Sequence, residues 1–436
     1  MNPARDLAIT LLQRIEGRDE FSQNLILQEE KGLADARDRA LLRRLIYGVL
    51  QNRLLLDVWI NRVSRKKIEK QKNVLRQLMR IAVYDLLFLN TPDHAGVNEA
   101  VELAKKRAPF ARAYVNGALR QLLREKEDLA EEMRSQPLSI RSSHPQWMIE
   151  ELERVFPSQQ VEELLRRNNE VPPISLLCRP DLDRDEAVRS LREEGILSVR
   201  KSSLSPYSLL CQGGSITRSR LFQEGLITIQ SQGSTEIARK SLLGRDWRGK
   251  RILDLCASPG SKTTAFSWLA PEADIVSNDK SPDKMIRLEE NRRRLHLQNV
   301  SLSIQDACME NKEWLAAFDL VLVDAPCSGL GLLGRKPDIR YHRKKEDLWE
   351  LAGLQRKILS QALRYVKVGG RLTYSTCSYS FTENESVIQS LLKDGNLLIS
   401  EADANCFHRL SPFDEFSDGF SFLLLERGDE AFFARK

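Results

Sequence analysis

No C-x-x-C pair occurs among the seven cysteines of this 436-residue chain (Cys178, Cys211, Cys256, Cys308, Cys327, Cys377 and Cys406). Such spacing indicates neither a zinc site nor a disulfide framework, so free thiols in a reducing compartment are expected, with no bound metal. No apolar run approaches the roughly 18 residues of a membrane span, and the opening MNPARDLAIT lacks the basic, apolar and small-residue series of a signal peptide. The expected location is the cytoplasm, with no membrane partner. Two phosphate-binding signatures are missing as well. DLCASPGSKTT (254–264) brings Gly, Lys and Thr together, but its single glycine is separated from the lysine by Ser261, which is not a Walker A loop. Nor is it a G-x-G-x-x-G turn, so nucleotide hydrolysis and a pyrophosphate cradle are both disfavoured.

The composition that remains, 42% apolar and 29% charged, is that of a globular protein long enough for two or three domains. Net charge is only +6, but basic residues cluster in SRKKIEKQK (64–72), NRRR (291–294) and RYHRKKED (340–347). Charge runs are usually solvated faces, and these support nucleic-acid binding only weakly. From residue 5 to about 130 the pattern is helical: Leu7, Leu11, Leu12 and Ile15 share one face, and Leu41, Leu42, Leu45, Ile46 and Val49 share another. RSQPLSIRSSHP (134–145) breaks that pattern as a linker. A small α/β module is expected over 138–235. From 236 to 436, strand-like runs (RILDLCA, ADIVSND, VSLSIQDA, FDLVLVDAP, GGRLTYSTCS) alternate with helical stretches, which predicts a mainly parallel, doubly wound sheet.

Ligands of such sheets bind at the carboxyl ends of the strands, and there the chain places Asp254, Asp279, Asp306, Asp324, Cys327 and Cys377. Asp279 lies about 25 residues beyond the first turn, a separation that suits a carboxylate accepting from ribose hydroxyls. The open first turn leaves room for a ligand without pyrophosphate. S-adenosylmethionine is such a ligand, and Asp306 is placed to accept from its adenine amino group. Each acid could instead simply cap a following helix. Three acids at three consecutive strand ends point to the ligand.

DAPCSGLG (324–331) and STCSYS (375–380) end the fourth and fifth of these strands, which should be neighbours. A lone strand-end cysteine is usually structural. Two converging beside a methyl donor call for a chemical reason, and methylation at carbon 5 of a pyrimidine supplies one: that carbon is not nucleophilic until a thiolate adds at C6. A base then removes the C5 proton and the thiolate leaves. Asp324, beside Cys327, is the candidate acid near N3, and the target base must be unpaired or flipped.

These motifs resemble the RNA cytosine-5 methyltransferases: DLCASPGSKTT, Asp279, Asp306, DAPCSGLG with GRKPDIRY, and STCSYSFTENE. HAGVNEAVELAKK and YVNGALRQLL resemble the NusB-type RNA-binding helical domain, here over residues 1–133, and the combination looks like RsmB-type enzymes that methylate a cytosine in bacterial small-subunit ribosomal RNA. The resemblance implies an all-α NusB-like domain, a small α/β module and a Rossmann-like class I methyltransferase domain, acting as a monomer. It implies Cys377 as nucleophile and Cys327 as the group that assists product release. Asp254 with the turn Cys256, Ala257, Ser258, Pro259, Gly260, Ser261 and Lys262 would hold the methionine part of the donor, Asp279 the ribose, Asp306 the adenine and Asp324 the target ring. Arg335, with Lys336 and Arg340, would meet the RNA backbone.

The chain departs from the family pattern at Ser261 (usually glycine), at Ile229-Gln230-Ser231 (usually V-Q-D), at LLCRP in the middle module (usually L-R-V-N) and at Ser421 (usually phenylalanine). Three rival readings remain. A DNA cytosine-5 methyltransferase would use Cys327 as nucleophile and leave Cys377 without a role. A non-catalytic RNA-binding or antitermination factor should have lost at least one of Cys327, Cys377, Asp324 or Asp279. The third is a cytosine-5 methyltransferase acting on transfer RNA.

Overall fold

The structure, a computed structural model, describes residues 2–18, 20–89, 91–393, 406–413, 415, 417–429 and 431–434. The chain forms two compact units. One comprises Met1–Glu170 together with Leu333–Arg343, and the other Val171–Leu332 together with Lys344–Lys436.

The first unit is helical, built mainly on helices Pro3–Arg18, Ala36–Arg62, Asn73–Phe88, Asp93–Arg107 and Arg112–Arg124. The heptad-like spacing read from the sequence buries Leu11, Leu12, Leu42, Leu45, Ile46, Val49, Leu78 and Met79 in one core. The long Ala36–Arg62 helix starts where Asp35 accepts from the Arg37 backbone N–H at 2.8 Å, which satisfies one of its free donors. Glu16 gathers Arg53, Arg76 and Arg80 at 2.7, 2.7 and 3.0 Å, and Arg80 also pairs with Asp57 at 2.7 Å.

The segment 333–343 is an integral part of this helical unit. Leu333 and Ile339 are buried. Asp338 accepts from the Ser22 backbone N–H at 2.9 Å, and the Tyr341 hydroxyl donates to the Leu50 carbonyl at 2.8 Å. Arg340 is 1% exposed, and its guanidinium donates to the carbonyls of Gln51 (3.0 Å), Ser143 (3.3 Å) and Asn168 (3.1 Å). This corrects the expectation that Arg340 meets an RNA backbone: its charge is used inside the protein. Burial lowers its pKa to about 10, so it stays charged at neutral pH. Arg340→Met is expected to leave these carbonyls unpaired and to cost about 3 kcal/mol in urea unfolding, with RNA affinity measured below the transition unchanged. Arg335 and Lys336 keep partial exposure.

Among the described residues the second unit carries twelve strands in chain order: β1 Ile174–Cys178, β2 Leu197–Lys201, β3 Ser208–Gln212, β4 Ile227–Ile229, β5 Arg251–Asp254, β6 Asp274–Asn278, β7 Val300–Ser303, β8 Phe318–Asp324, β9 Val366–Thr376, β10 His408–Leu410, β11 Phe420–Arg427 and β12 Phe432–Ala434. The first four form an antiparallel sheet in the order β2-β3-β1-β4. Cys178 and Cys211 lie in its core, and burial pushes their thiols up to about 12 and about 11, so both are inert packing residues. Packing divides the chain differently from the three expected segments. Helices Gln146–Glu153 and Ser158–Arg167 fall in the first unit, where Asn169 donates to the Ser142 carbonyl at 2.9 Å, while the four-stranded sheet goes with the methyltransferase-like sheet.

The larger sheet runs β10-β11-β9-β8-β5-β6-β7, with β12 on β11. Strands β5 to β9 pair in parallel, and β11 is antiparallel to β9. Apart from Asp319, which pairs with Lys250 and Lys367, FDLVLV is apolar because β8 is covered on both faces. Leu320 and Leu322 join Ile252, Ala265 and Phe266 in one core, while Val321 and Val323 join Leu253, Ile358, Leu359 and Ile388 in the other. The strand order reverses between β5 and β8, which leaves a crevice at their carboxyl ends.

Candidate active site

Parallel pairing of β8 and β9 sets Asp324 opposite Ser375, so the two cysteine motifs leave the sheet side by side. Cys327 Sγ and Cys377 Sγ lie 3.0 Å apart, and both residues are partly exposed. The Cys377 sulfur, then burial, then the charges of Glu383 and Asp324 hold the Cys327 thiol well above its usual range. That environment favours the protonated form of Cys327.

Asp324 accepts from Ser375 Oγ at 2.9 Å and pairs with Lys262 Nζ at 2.6 Å. Lys262 is only 4% exposed and sits 4.9 Å over the Phe420 ring. Helix Ser261–Leu269 thus sends its second residue to the acid of the neighbouring motif, joining the first strand's turn to the fourth strand's end. The turn before it depends on Gly260. This residue has φ +100°, and a Cβ there would meet Leu288 Cγ at 3.0 Å.

Asp254 ends β5 fully buried. Thr263 donates to its Oδ2 at 2.8 Å, and its Oδ1 has no hydrogen-bond partner among the described residues. Burial pushes its carboxyl up to about 7, with Asp324 adding to the shift and the Thr263 bond opposing it. An orphaned buried acceptor beside an open turn fits the ammonium group of an amino-acid moiety. In the empty protein the shift has a stability consequence. The native carboxyl holds its proton to higher pH than the unfolded one, so stability falls as pH rises from about 4 to about 7 and is flat above. Asp254→Asn is expected to remove that fall. The variant should gain up to roughly 4 kcal/mol over the wild type on going from pH 4 to pH 8 in urea melts without ligand.

Asp279 and Asp306 follow β6 and β7, as read from the sequence. Each uses one oxygen locally, Asp279 accepting from the Ser281 N–H at 3.0 Å and Asp306 from the Cys308 N–H at 2.9 Å. Capping and ligand binding are thus compatible. Burial pushes the Cys256 thiol well above its usual range, so this cysteine lines the turn without reacting.

Three contacting groups escaped the sequence reading. Gly331 donates to the Cys377 carbonyl at 3.0 Å and accepts from the Gly419 N–H at 2.7 Å; a Cβ on Gly331 would fall 2.1 Å from the Gly419 oxygen. The Gly331 and Gly419 motifs therefore brace the loop that carries Cys377. Ser421, one of the family departures, donates to the Ser378 carbonyl at 2.8 Å and so adds a bond to that loop. Glu383, within the quoted STCSYSFTENE, lies between the two cysteine motifs and had no role assigned. At the Ser231 departure the backbone carbonyl accepts from the Thr235 N–H at 3.2 Å in the first turn of a helix, while the buried hydroxyl has no hydrogen-bond partner among the described residues.

A doubly wound sheet with acids at successive strand ends, a glycine turn without phosphate-loop spacing and paired thiols beyond β8 and β9 defines a class I methyltransferase domain. The comparisons narrow this class. Residues 245–419 match the model for the 16S rRNA methyltransferase RsmB/F family, residues 2–124 the NusB family, and residues 144–215 the ferredoxin-like domain of the RsmF/B-like methyltransferases. The chain is 32% identical over 429 residues to the ribosomal RNA small subunit methyltransferase B of Klebsiella pneumoniae (strain 342), covering 97% of each. It is 33% identical over 405 residues to the probable ribosomal RNA small subunit methyltransferase B of Bacillus subtilis (strain 168), covering 89% of this chain and 88% of that one. Among solved structures, PH0851 covers 98% of this chain and 99% of its own at TM-score 0.77 and 24% identity, a likeness of fold. NSun6 from Pyrococcus horikoshii covers 65% and 98% at TM-score 0.55 and 19% identity. The chain belongs to the ribosomal RNA small subunit methyltransferase B family.

Proposed function

We propose that this protein methylates carbon 5 of a cytosine in 16S ribosomal RNA, with Cys377 forming a transient bond to C6 of the ring. The observation that carries the reading is the 3.0 Å approach of Cys327 and Cys377 at the ends of adjacent parallel strands, beside the Lys262–Asp324 pair. A methyl transferase acting on oxygen or an exocyclic nitrogen has no use for two thiols in contact.

S-adenosylmethionine is the methyl donor and supplies an electrophilic methyl group on a sulfonium. The Asp254 carboxylate and the turn 256–262 would hold its amino-acid part, Asp279 the ribose and Asp306 the adenine. The protein's own steps follow from the thiols. Cys377 loses its proton to solvent and its sulfur adds to C6, while Asp324, fixed by Lys262 and Ser375, binds the ring near N3 and steadies the charge that develops there. After C5 has been methylated, Cys327 passes its proton to the departing Cys377 sulfur and takes up the C5 proton, which restores the ring's double bond. Over the cycle one proton is released, as replacement of hydrogen by methyl from a sulfonium requires. Arg335 and Lys336 remain as backbone contacts for the RNA.

The test is bisulfite sequencing of ribosomal RNA from cells lacking the protein. One methylcytosine should disappear from the small-subunit RNA; an unchanged map there with a loss in transfer RNA would overturn the substrate. Equilibrium binding of S-adenosylmethionine comes first, since a chain that does not bind it is the non-catalytic factor.

A further inference from the structure

Glu383 is fully buried, in the turn 381–384 that leads into helix Glu385–Lys393. A carboxylate there loses its hydration, and burial raises its pKa. Four donors offset that loss. The Ser328 backbone N–H and hydroxyl donate at 2.7 and 2.5 Å, the Ser378 hydroxyl at 2.7 Å and the Gln355 side-chain amide at 3.2 Å. Two of these, the backbone N–H and the amide N–H, can act only as donors, and both meet Oε1, so that oxygen must accept, while Oε2 meets the two hydroxyls. Ser328 follows Cys327 directly and Ser378 follows Cys377 directly, and the two hydroxyls are themselves 3.1 Å apart. Gln355 also donates to the Pro326 carbonyl at 2.9 Å, which extends the same network to the residue before Cys327. Behind Glu383, the Tyr374 hydroxyl of β9 donates to its carbonyl at 2.6 Å, and its own N–H donates to Ser380 Oγ at 3.2 Å. The carboxylate is therefore anchored at its backbone and bonded to both cysteine loops at its head.

We infer that Glu383 is the positioning residue of the thiol pair: one carboxylate clamps the loops after β8 and β9 together and sets the spacing of the Cys327 and Cys377 sulfurs. Its charge near Cys327 adds to the shift that favours the protonated thiol. It touches neither sulfur nor substrate and acts through Ser328 and Ser378. The inference rests on the two-thiol reading above for its importance to the reaction, but its physical content, the spacing and protonation of the pair, exists without RNA or methyl donor.

The test uses the full-length protein and two readouts. The pH dependence of iodoacetamide labelling at Cys327, followed by mass spectrometry on the protein without ligands, should move to lower pH by about one unit in Glu383→Gln, because a negative charge beside the thiol is lost. Glu383→Asp should restore the wild-type profile. In methylation assays Glu383→Gln should lower kcat by about a hundredfold with KM for RNA within about twofold, and Glu383→Asp should remain impaired because the shorter side chain cannot reach both loops. An unmoved labelling profile in folded Glu383→Gln overturns the inference, as does wild-type kcat. If Glu383→Gln does not fold, Ser328→Ala and Ser378→Ala each remove one side of the clamp. Each should then lower kcat in a folded protein, and full activity in both overturns the inference. A shifted labelling profile together with an unchanged ribosomal RNA map would leave the clamp standing and remove the proposed substrate instead.

Discussion

Alanine at Cys377 is expected to abolish both methyl transfer and any covalent complex with RNA, whereas alanine at Cys327 should trap the RNA on the protein. The asymmetry follows from where the proton sits. Cys327, partly exposed beside the Cys377 sulfur with the Glu383 and Asp324 carboxylates nearby, is held toward its protonated form. Removing it does not stop the Cys377 sulfur from adding to C6, but it removes the group that returns a proton to that sulfur and collects the one from C5. The adduct then accumulates, and a denaturing gel of Cys327→Ala with RNA and S-adenosylmethionine should show a retarded, protease-sensitive band. Cys377→Ala should show none, and the double variant none. Loss of turnover should exceed about a thousandfold in both single variants, as expected when one member of a catalytic pair is deleted. A retarded band with Cys377→Ala would exchange the two roles and return the site to the DNA-methyltransferase pattern.

The second large effect is expected at Lys262. Its ammonium is almost wholly buried, bonded to Asp324 at 2.6 Å and set against the Phe420 ring. In Lys262→Met the Asp324 carboxylate loses the charge that fixes it, and Asp324→Asn leaves the ammonium buried without its anion. Each should reduce kcat/KM by about 10²- to 10³-fold, the usual result of disabling one preorganised electrostatic group. Because the two side chains act as one unit, the double variant should be no worse than the poorer single one by more than about threefold. Additive losses in steady-state methylation would show that Lys262 and Asp324 serve separate steps.

The elements that the sequence reveals are those whose burial is complete or strictly one-sided. The LVLV of FDLVLV and the central Ile252 and Leu253 of RILD are apolar because helices cover both sheet faces, and the five parallel strands stand where alternation of strand and helix placed them. The helical unit is legible for the same reason, its apolar residues recurring at 3.6-residue spacing. Strand β2, with only Val199 of its five residues buried, carries no such pattern and is held by pairing with β3. Strands β10 to β12 pair antiparallel beyond β9 and interrupt the expected alternation.

The site divides similarly. Acids and thiols at strand ends are visible because topology places strand ends together. Glu383 was hidden because its contacts are two serines that follow the two cysteines, Ser328, 55 residues away, and Ser378. Arg340 misled because a basic run reads as surface, and nothing local to RYHRKKED reveals that the guanidinium is spent on the carbonyls of Gln51, Ser143 and Asn168.

The inclusion of 333–343 in the helical unit also bears on the order in which the protein is made. The first 170 residues leave the ribosome long before this segment does, so the helical unit emerges with the seats of Leu333, Ile339 and Arg340 unfilled. At the usual pace of synthesis, of about 5–20 residues per second, the gap lasts roughly ten to thirty seconds. During that time Gln51, Ser143 and Asn168 must keep their carbonyls hydrated, and the unit reaches its final state only after Cys327 has been translated. The nascent helical half is thus finished by chain made after DAPCSGLG, and a ribosome stalled between the two would hold an incomplete fold.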